Sequence, residues 1–189
     1  MKHMSVVLPA VLLLAIGTTS YAQTPASSSA PRPADSRTNE MLNRWNAIGN
    51  KLIAMAQDFP EDKYDFKVQK DERTFAENLL HAAALEMVIT REISGSKDVP
   101  NFGNGDNPPR AAFKTKADVV NFVQQAVAAG AKVIQQQGDA GLDKTTVSGK
   151  RLVHNSFLWM YAIEHSGEHY GQLVVYYRAN NLVPPDSRR

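Results

Sequence analysis

The sequence has no cysteine in its 189 residues. That absence excludes disulfides, thiolate metal sites, cysteine nucleophiles and a lipid-modified N-terminal cysteine, so any metal has to be held by histidine and carboxylate. Charge of one sign is also lacking. The 21 lysines and arginines nearly balance the 19 acids, for a net +2, and the basic residues are scattered rather than clustered. Without a basic patch there is no electrostatic footprint for nucleic acid, and none is expected as a partner. No stretch carries a strand signal, and no apolar run reaches the ~20 residues of a membrane-spanning helix. What remains is 43% hydrophobic and 21% charged, the composition of an ordinary globular chain of a length suited to one domain.

The chain begins with Lys2 and His3, continues through apolar residues from Val6 to Ile16, and reaches Ser20-Tyr21-Ala22 before Gln23. This is the pattern of a secretory signal peptide over 1–22, with a cut expected after Ala22. The expected protein is therefore exported, periplasmic or secreted, and keeps no membrane anchor. Residues 23–37 are rich in Ser, Ala and Pro (Thr24-Pro25-Ala26-Ser27-Ser28-Ser29-Ala30-Pro31) and read as a disordered linker. Residues 38–189 form the expected folded domain.

Four amphipathic helices are expected there. The first spans about Asn39 to Asp58, with Met41, Leu42, Trp45, Ile48, Leu52, Met55 and Phe59 three or four apart, and Pro60 ends it. Asp58 to Arg73 reads as an ordered loop with aromatic anchors. The second helix opens on the capping box Thr74 to Glu77 and ends near Gly95. The long Ser96–Lys114 segment is rich in Gly, Asn, Asp and Pro, of a length associated with function, but its acids lack the spacing of a calcium loop. A third helix opens at Thr115 and Asp118, runs through Val119, Phe122, Val123, Ala126, Val127, Val133 and Ile134, and stops at Gly138. After a loop over 139–149, the fourth is expected from Lys150 to Asn180, before Pro184-Pro185, with a core stripe of Val153, Phe157, Leu158, Tyr161, Ala162, His165, His169, Leu173 and Tyr176. The predicted fold is all-α, a single four-helix bundle.

The chemistry lies in the histidines. His165 and His169 are four residues apart, so on a helix both imidazoles can point at one ion. His154 lies three turns earlier, about 16 Å away along the axis, and cannot join them. His81 sits in the apolar stripe of the second helix with Ala84, Leu85 and Val88, and is the remaining histidine able to complete a His3 set. Three histidines and an open position suit catalytic or substrate-binding zinc, and imidazoles also suit nickel, iron and copper. His165-Ser166-Gly167-Glu168-His169 matches the His-x-x-Glu-His string of inverted zinc proteases, but Glu168 is turned about 100° from His169 and too little chain follows for a further ligand. Glu164 and Glu168 read as acceptors fixing the histidine tautomers or as solvated flanks, and Gly167 and Gly171 as allowing close helix approach or room above the ion. Tyr170, Val174 and Tyr177 lie off the ligand stripe; a second apolar face of this kind suits a helix central to its bundle or a homodimer contact, and a homodimer is expected.

The run Glu168-His169-Tyr170-Gly171-Gln172-Leu173-Val174-Val175-Tyr176-Tyr177-Arg178, followed by Asn181-Leu182-Val183-Pro184-Pro185-Asp186-Ser187-Arg188, resembles the C-terminus of the DinB-like (DinB/YfiT) superfamily of metalloenzymes. Leu79-Leu80-His81, preceded by Arg73-Thr74-Phe75, resembles that family's first ligand region. The resemblance implies a four-helix bundle with a divalent metal (zinc, nickel or iron) on His81, His165 and His169. It further implies a metal-dependent hydrolase or thiol-dependent transferase acting on a small molecule, or a non-catalytic metal- or ligand-binding module of stress response.

Overall fold

The computed structural model describes residues 35–97 and 105–188. The expected signal peptide, and the linker up to residue 34, lie outside these residues. Four long helices carry the fold: α1 (Arg37–Asp58), α2 (Phe75–Ser94), α3 (Lys116–Leu142) and α4 (Asn155–Ala179). Each start has a local cause. Ser36 accepts from the Asn39 amide at the head of α1, which therefore begins at Arg37, two residues before the expected start at Asn39. Thr74 with Glu77, and Thr115 with Asp118, form complete capping boxes at α2 and α3, and Gly95 closes α2 in the left-handed conformation at φ +66°. The helix reading of 116–138 holds, with Gly138 at φ +60° breaking α3 before one more turn to Leu142.

Helices α1 and α2 face each other across the diagonal, as do α3 and α4, so every other pair is a packed neighbour. Two apolar clusters fill the interior. One gathers Leu52, Met55, Phe59, Phe75, Leu79 and Tyr177 at one end. The other surrounds an edge-to-face pair of Trp45 and Trp159, with centroids 5.3 Å apart. Trp45 donates to the Val127 carbonyl at 2.8 Å, and a Cβ on Gly130 would stand 2.0 Å from its ring, so glycine is what lets α3 pass this close to the indole. The C-terminal tail folds back on α1: Arg188 forks onto Asp58 at 2.8 and 2.5 Å, and Lys51 pairs with Asp186 at 2.7 Å.

The start of the last helix differs from the expected one. Residues Thr145–Ser148 (β1) and Arg151–His154 (β2) pair antiparallel, Ser148 opposite Arg151, leaving Gly149-Lys150 as a two-residue turn. Gly149 sits at φ +60° and Lys150 keeps a negative φ, the geometry of a II′ hairpin, and the Thr-Thr-Val and Leu-Val runs supply β-branched flanks. This ribbon takes up Val153, so α4 begins at Asn155 with His154 as its N-cap residue, its Nδ1 3.0 Å from the Asp143 carbonyl. Phe157 then falls in the first turn on the outer side and is 52% exposed; Tyr161, one turn on, is 44% exposed. Neither belongs to the core, whereas Leu158, Ala162, His169, Leu173 and Tyr176 do.

The proposed second apolar face of α4 is used within the chain. Tyr177 is fully buried and donates to the Met55 carbonyl, and Tyr170 and Val174 pack against the first cluster.

Candidate metal centre

Helices α2 and α4 run antiparallel, and their seam brings together residues 84 apart in sequence. His165 and His169 lie one turn apart on α4, and His81 faces them from α2. The His165 Nε2 is 3.2 Å from the Nε2 of His81 and 3.2 Å from that of His169. One ring nitrogen from each of the three lies within 4.8 Å of the others. Nitrogens bound 2.0–2.1 Å from one ion at tetrahedral angles stand about 3.3–3.4 Å apart, so two of these spacings are already close to those of a bound set. His154, as expected, is elsewhere.

The other ring nitrogens show which tautomers are present. His81 Nδ1 is 2.8 Å from the Asp106 carbonyl oxygen, which can only accept, so Nδ1 carries the proton and Nε2 the lone pair. The Asp106 carboxylate is 3.6 Å from the same nitrogen. His169 Nδ1 is 2.7 Å from Asn78 Oδ1, while the Asn78 amide nitrogen donates to Gln172 Oε1 at 3.0 Å. Asn78 therefore presents its oxygen to His169, which again leaves Nε2 as a lone pair. Two lone pairs aimed at a third ring nitrogen call for a cation between them; a single proton on His165 Nε2 could serve just one. His165 Nδ1 is buried and has no hydrogen-bond partner among the described residues.

Electrostatics agree with neutral rings. Burial, and then the neighbouring His81, hold the His165 pKa down at about 4. Burial, followed by His165 and His81, takes His169 down to about 3. At neutral pH both are uncharged imidazoles, the form that ligates metal. His81 and His169 are buried and His165 is half-buried, with the Tyr161 ring 6.2 Å from it on the outer side.

Of the two readings open to Glu164 and Glu168, the solvated flank is the one that holds. The acceptors that fix the rings are Asn78 and the main chain at Asp106, not Glu164 or Glu168, which are both exposed. Asn78 could have been noticed as the lone amide in an apolar run one turn before His81; a main-chain carbonyl leaves no trace in a sequence. Gly167 and Gly171 do not allow close helix approach, because a Cβ at either would meet no atom within 4 Å. Tyr176 adds support from behind, its hydroxyl donating to the Arg73 carbonyl just ahead of α2.

Two solved structures share this architecture. A DinB-like protein from Bacillus cereus superposes with a TM-score of 0.64 at 17% identity, over 78% of this chain and 95% of its own. A DinB-like protein from Bacillus subtilis gives 0.61 at 18% identity, over 80% and 99%. No curated protein matches the sequence. The family profile described as the DinB superfamily matches residues 44–173, which takes in α2, α3 and all three clustered histidines. The chain belongs to the DinB superfamily.

Proposed function

We propose that this chain is an exported metalloenzyme that holds one divalent ion on His81, His165 and His169 and acts on a small molecule as a hydrolase or thiol-dependent transferase. One observation carries the reading: three imidazole Nε2 atoms converge while the Nδ1 atoms of His81 and His169 are each committed to an acceptor. Three protein ligands leave a coordination position for water or substrate, where a fourth would close the site. A metal in such a site supplies Lewis acidity and lowers the pKa of a bound water or thiol. The protein's own part is to keep the His165 and His169 rings neutral, fix the tautomers of His81 and His169, and leave His165 as the half-buried ligand through which the centre is reached. Export is supported by the signal pattern in residues 1–22.

Elemental analysis of the purified mature protein is expected to find about one zinc, nickel or iron per chain. His165→Ala and His81→Ala should each lose it, and full retention in His81→Ala would remove α2 from the site. Metal-dependent turnover of ester or thiol-acceptor substrates that survives Glu168→Gln supports the enzyme reading without a glutamate base. Stoichiometric metal with no turnover of either class favours a non-catalytic binding module.

A further inference from the structure

The bundle interior beside the metal centre contains a group the centre does not use. Glu86 on α2 is 1% exposed; its Oε1 accepts from Ser166 Oγ at 2.9 Å, and its Oε2 is buried with no partner among the described residues. Burial pushes this carboxyl up to about 8, opposed only by the Ser166 hydroxyl, so the neutral acid dominates at pH 7. The proton on Oε2 is then a donor lacking an acceptor.

Among the other polar atoms of these helices that share that condition are two on the side of Glu86 away from the histidines. Thr90 Oγ1 lies one turn after Glu86 on α2, and Trp159 Nε1 lies two turns before Ser166 on α4; both are buried and unpaired among the described residues. Because the helices are antiparallel, advancing from Glu86 along α2 and retreating from Ser166 along α4 go the same way. Four residues on one and seven on the other, at 1.5 Å each, leave Thr90 and Trp159 about 5 Å apart in height, within the span of an indole. Leaving a buried donor or acceptor unmet costs roughly 1–3 kcal/mol each, and internal waters typically meet about three such groups at once.

We propose that Glu86, Thr90 and Trp159 bind one internal water at the bundle centre, and that Glu86, through Ser166, is a positioning residue for the α4 turn carrying His165 and His169. The water accepts from Glu86 Oε2–H and Trp159 Nε1–H and donates to Thr90 Oγ1, three hydrogen bonds in all. Glu86 Oε1 stays available to Ser166, the residue next to His165. A hydrocarbon of equal size would pack here with no unmet polar atom, so the polar set has to be held for what it contacts, and along Oε1 that contact leads to the ligand turn.

The positioning half rests on the metal reading above; the water does not. A high-resolution crystal structure of the metal-free protein is expected to show an ordered water within hydrogen-bond distance of Glu86 Oε2, Thr90 Oγ1 and Trp159 Nε1, and a dry centre overturns that half. Cobalt(II) tests the other. Glu86→Gln keeps an acceptor for Ser166 and a donor for the water, and should retain wild-type cobalt affinity and visible spectrum. Glu86→Leu and Ser166→Ala should each weaken cobalt binding about tenfold or more and alter the spectrum, the usual scale for outer groups that orient ligands. Wild-type affinity and spectrum in both overturn the positioning role, and Ser166→Ala decides alone if the leucine variant does not fold. A wild-type protein that binds no cobalt overturns the metal reading and positioning together.

Discussion

Asn78 offers a direct test of how the His169 ring is held. Its Oδ1 accepts from His169 Nδ1 at 2.7 Å, in a place where both residues are buried. Asn78→Ala removes that acceptor and leaves a buried N–H unpaired, a loss of roughly 1–3 kcal/mol. Groups of this kind typically govern metal affinity by 10–100-fold, or about 1.4–2.8 kcal/mol at 1.4 per decade, so the two scales meet. The expected result is a zinc affinity lower by about ten- to a hundredfold, measured by competition with a chromophoric chelator. Asn78→Asp restores an acceptor and should recover most of it. Asp106→Ala is the contrast, because the oxygen facing His81 is a main-chain carbonyl that survives the substitution, and its loss should be clearly smaller. A folded Asn78→Ala protein with affinity within about twofold of wild type would refute the assigned tautomer and the role of the amide.

Stability against pH should carry two opposed signatures in the metal-free protein. Glu86 binds its proton more tightly folded than unfolded, so its stabilisation is full below about 4.5 and lost as pH rises towards 8; Glu86→Gln should flatten that decline in chemical denaturation across the window. The lowered pKa values of His165 and His169 act the other way: the unfolded chain binds more protons below 6.5, and stability should fall as pH drops from there towards about 3, an effect absent in the double alanine variant. Two glycines should answer alanine oppositely. Gly171→Ala meets no atom and should raise stability by about 0.5–1 kcal/mol, whereas Gly130→Ala drives a methyl into Trp45 and should cost about 1–3 kcal/mol or more, both read from urea midpoints.

The parts of this fold that could be read from the sequence are those written in local chemistry. Capping residues at Thr74 and Thr115, and the four-residue step from His165 to His169, state their geometry directly, because a helix has one period and one handed set of faces. The hairpin was missed because Arg151 to His154 continues the apolar tone of α4, and the turn that separates them is two residues long. Phe157 and Tyr161 were misplaced for a related reason: α4 is apolar nearly all round, so the period alone could not say which side faces the core. His81 could be named as a partner but not located, since the chain between it and His165, 84 positions further on, carries no record of which helices will be neighbours. The Asp106 carbonyl could not be named at all.

The distance along the chain between those two histidines has a meaning for folding as well. His165 and His169 are brought together by one helix, a local event, while His81 arrives only when α2 docks against it. An ion gripped by all three would act as a reversible staple on a chain loop of 84 residues. A permanent link of that span would deprive the unfolded chain of about 4.5 kcal/mol of conformational freedom in the chain-entropy picture. Metal in the surroundings would then decide how long the folded molecule lasts, and a strong chelator would act on it as a denaturant.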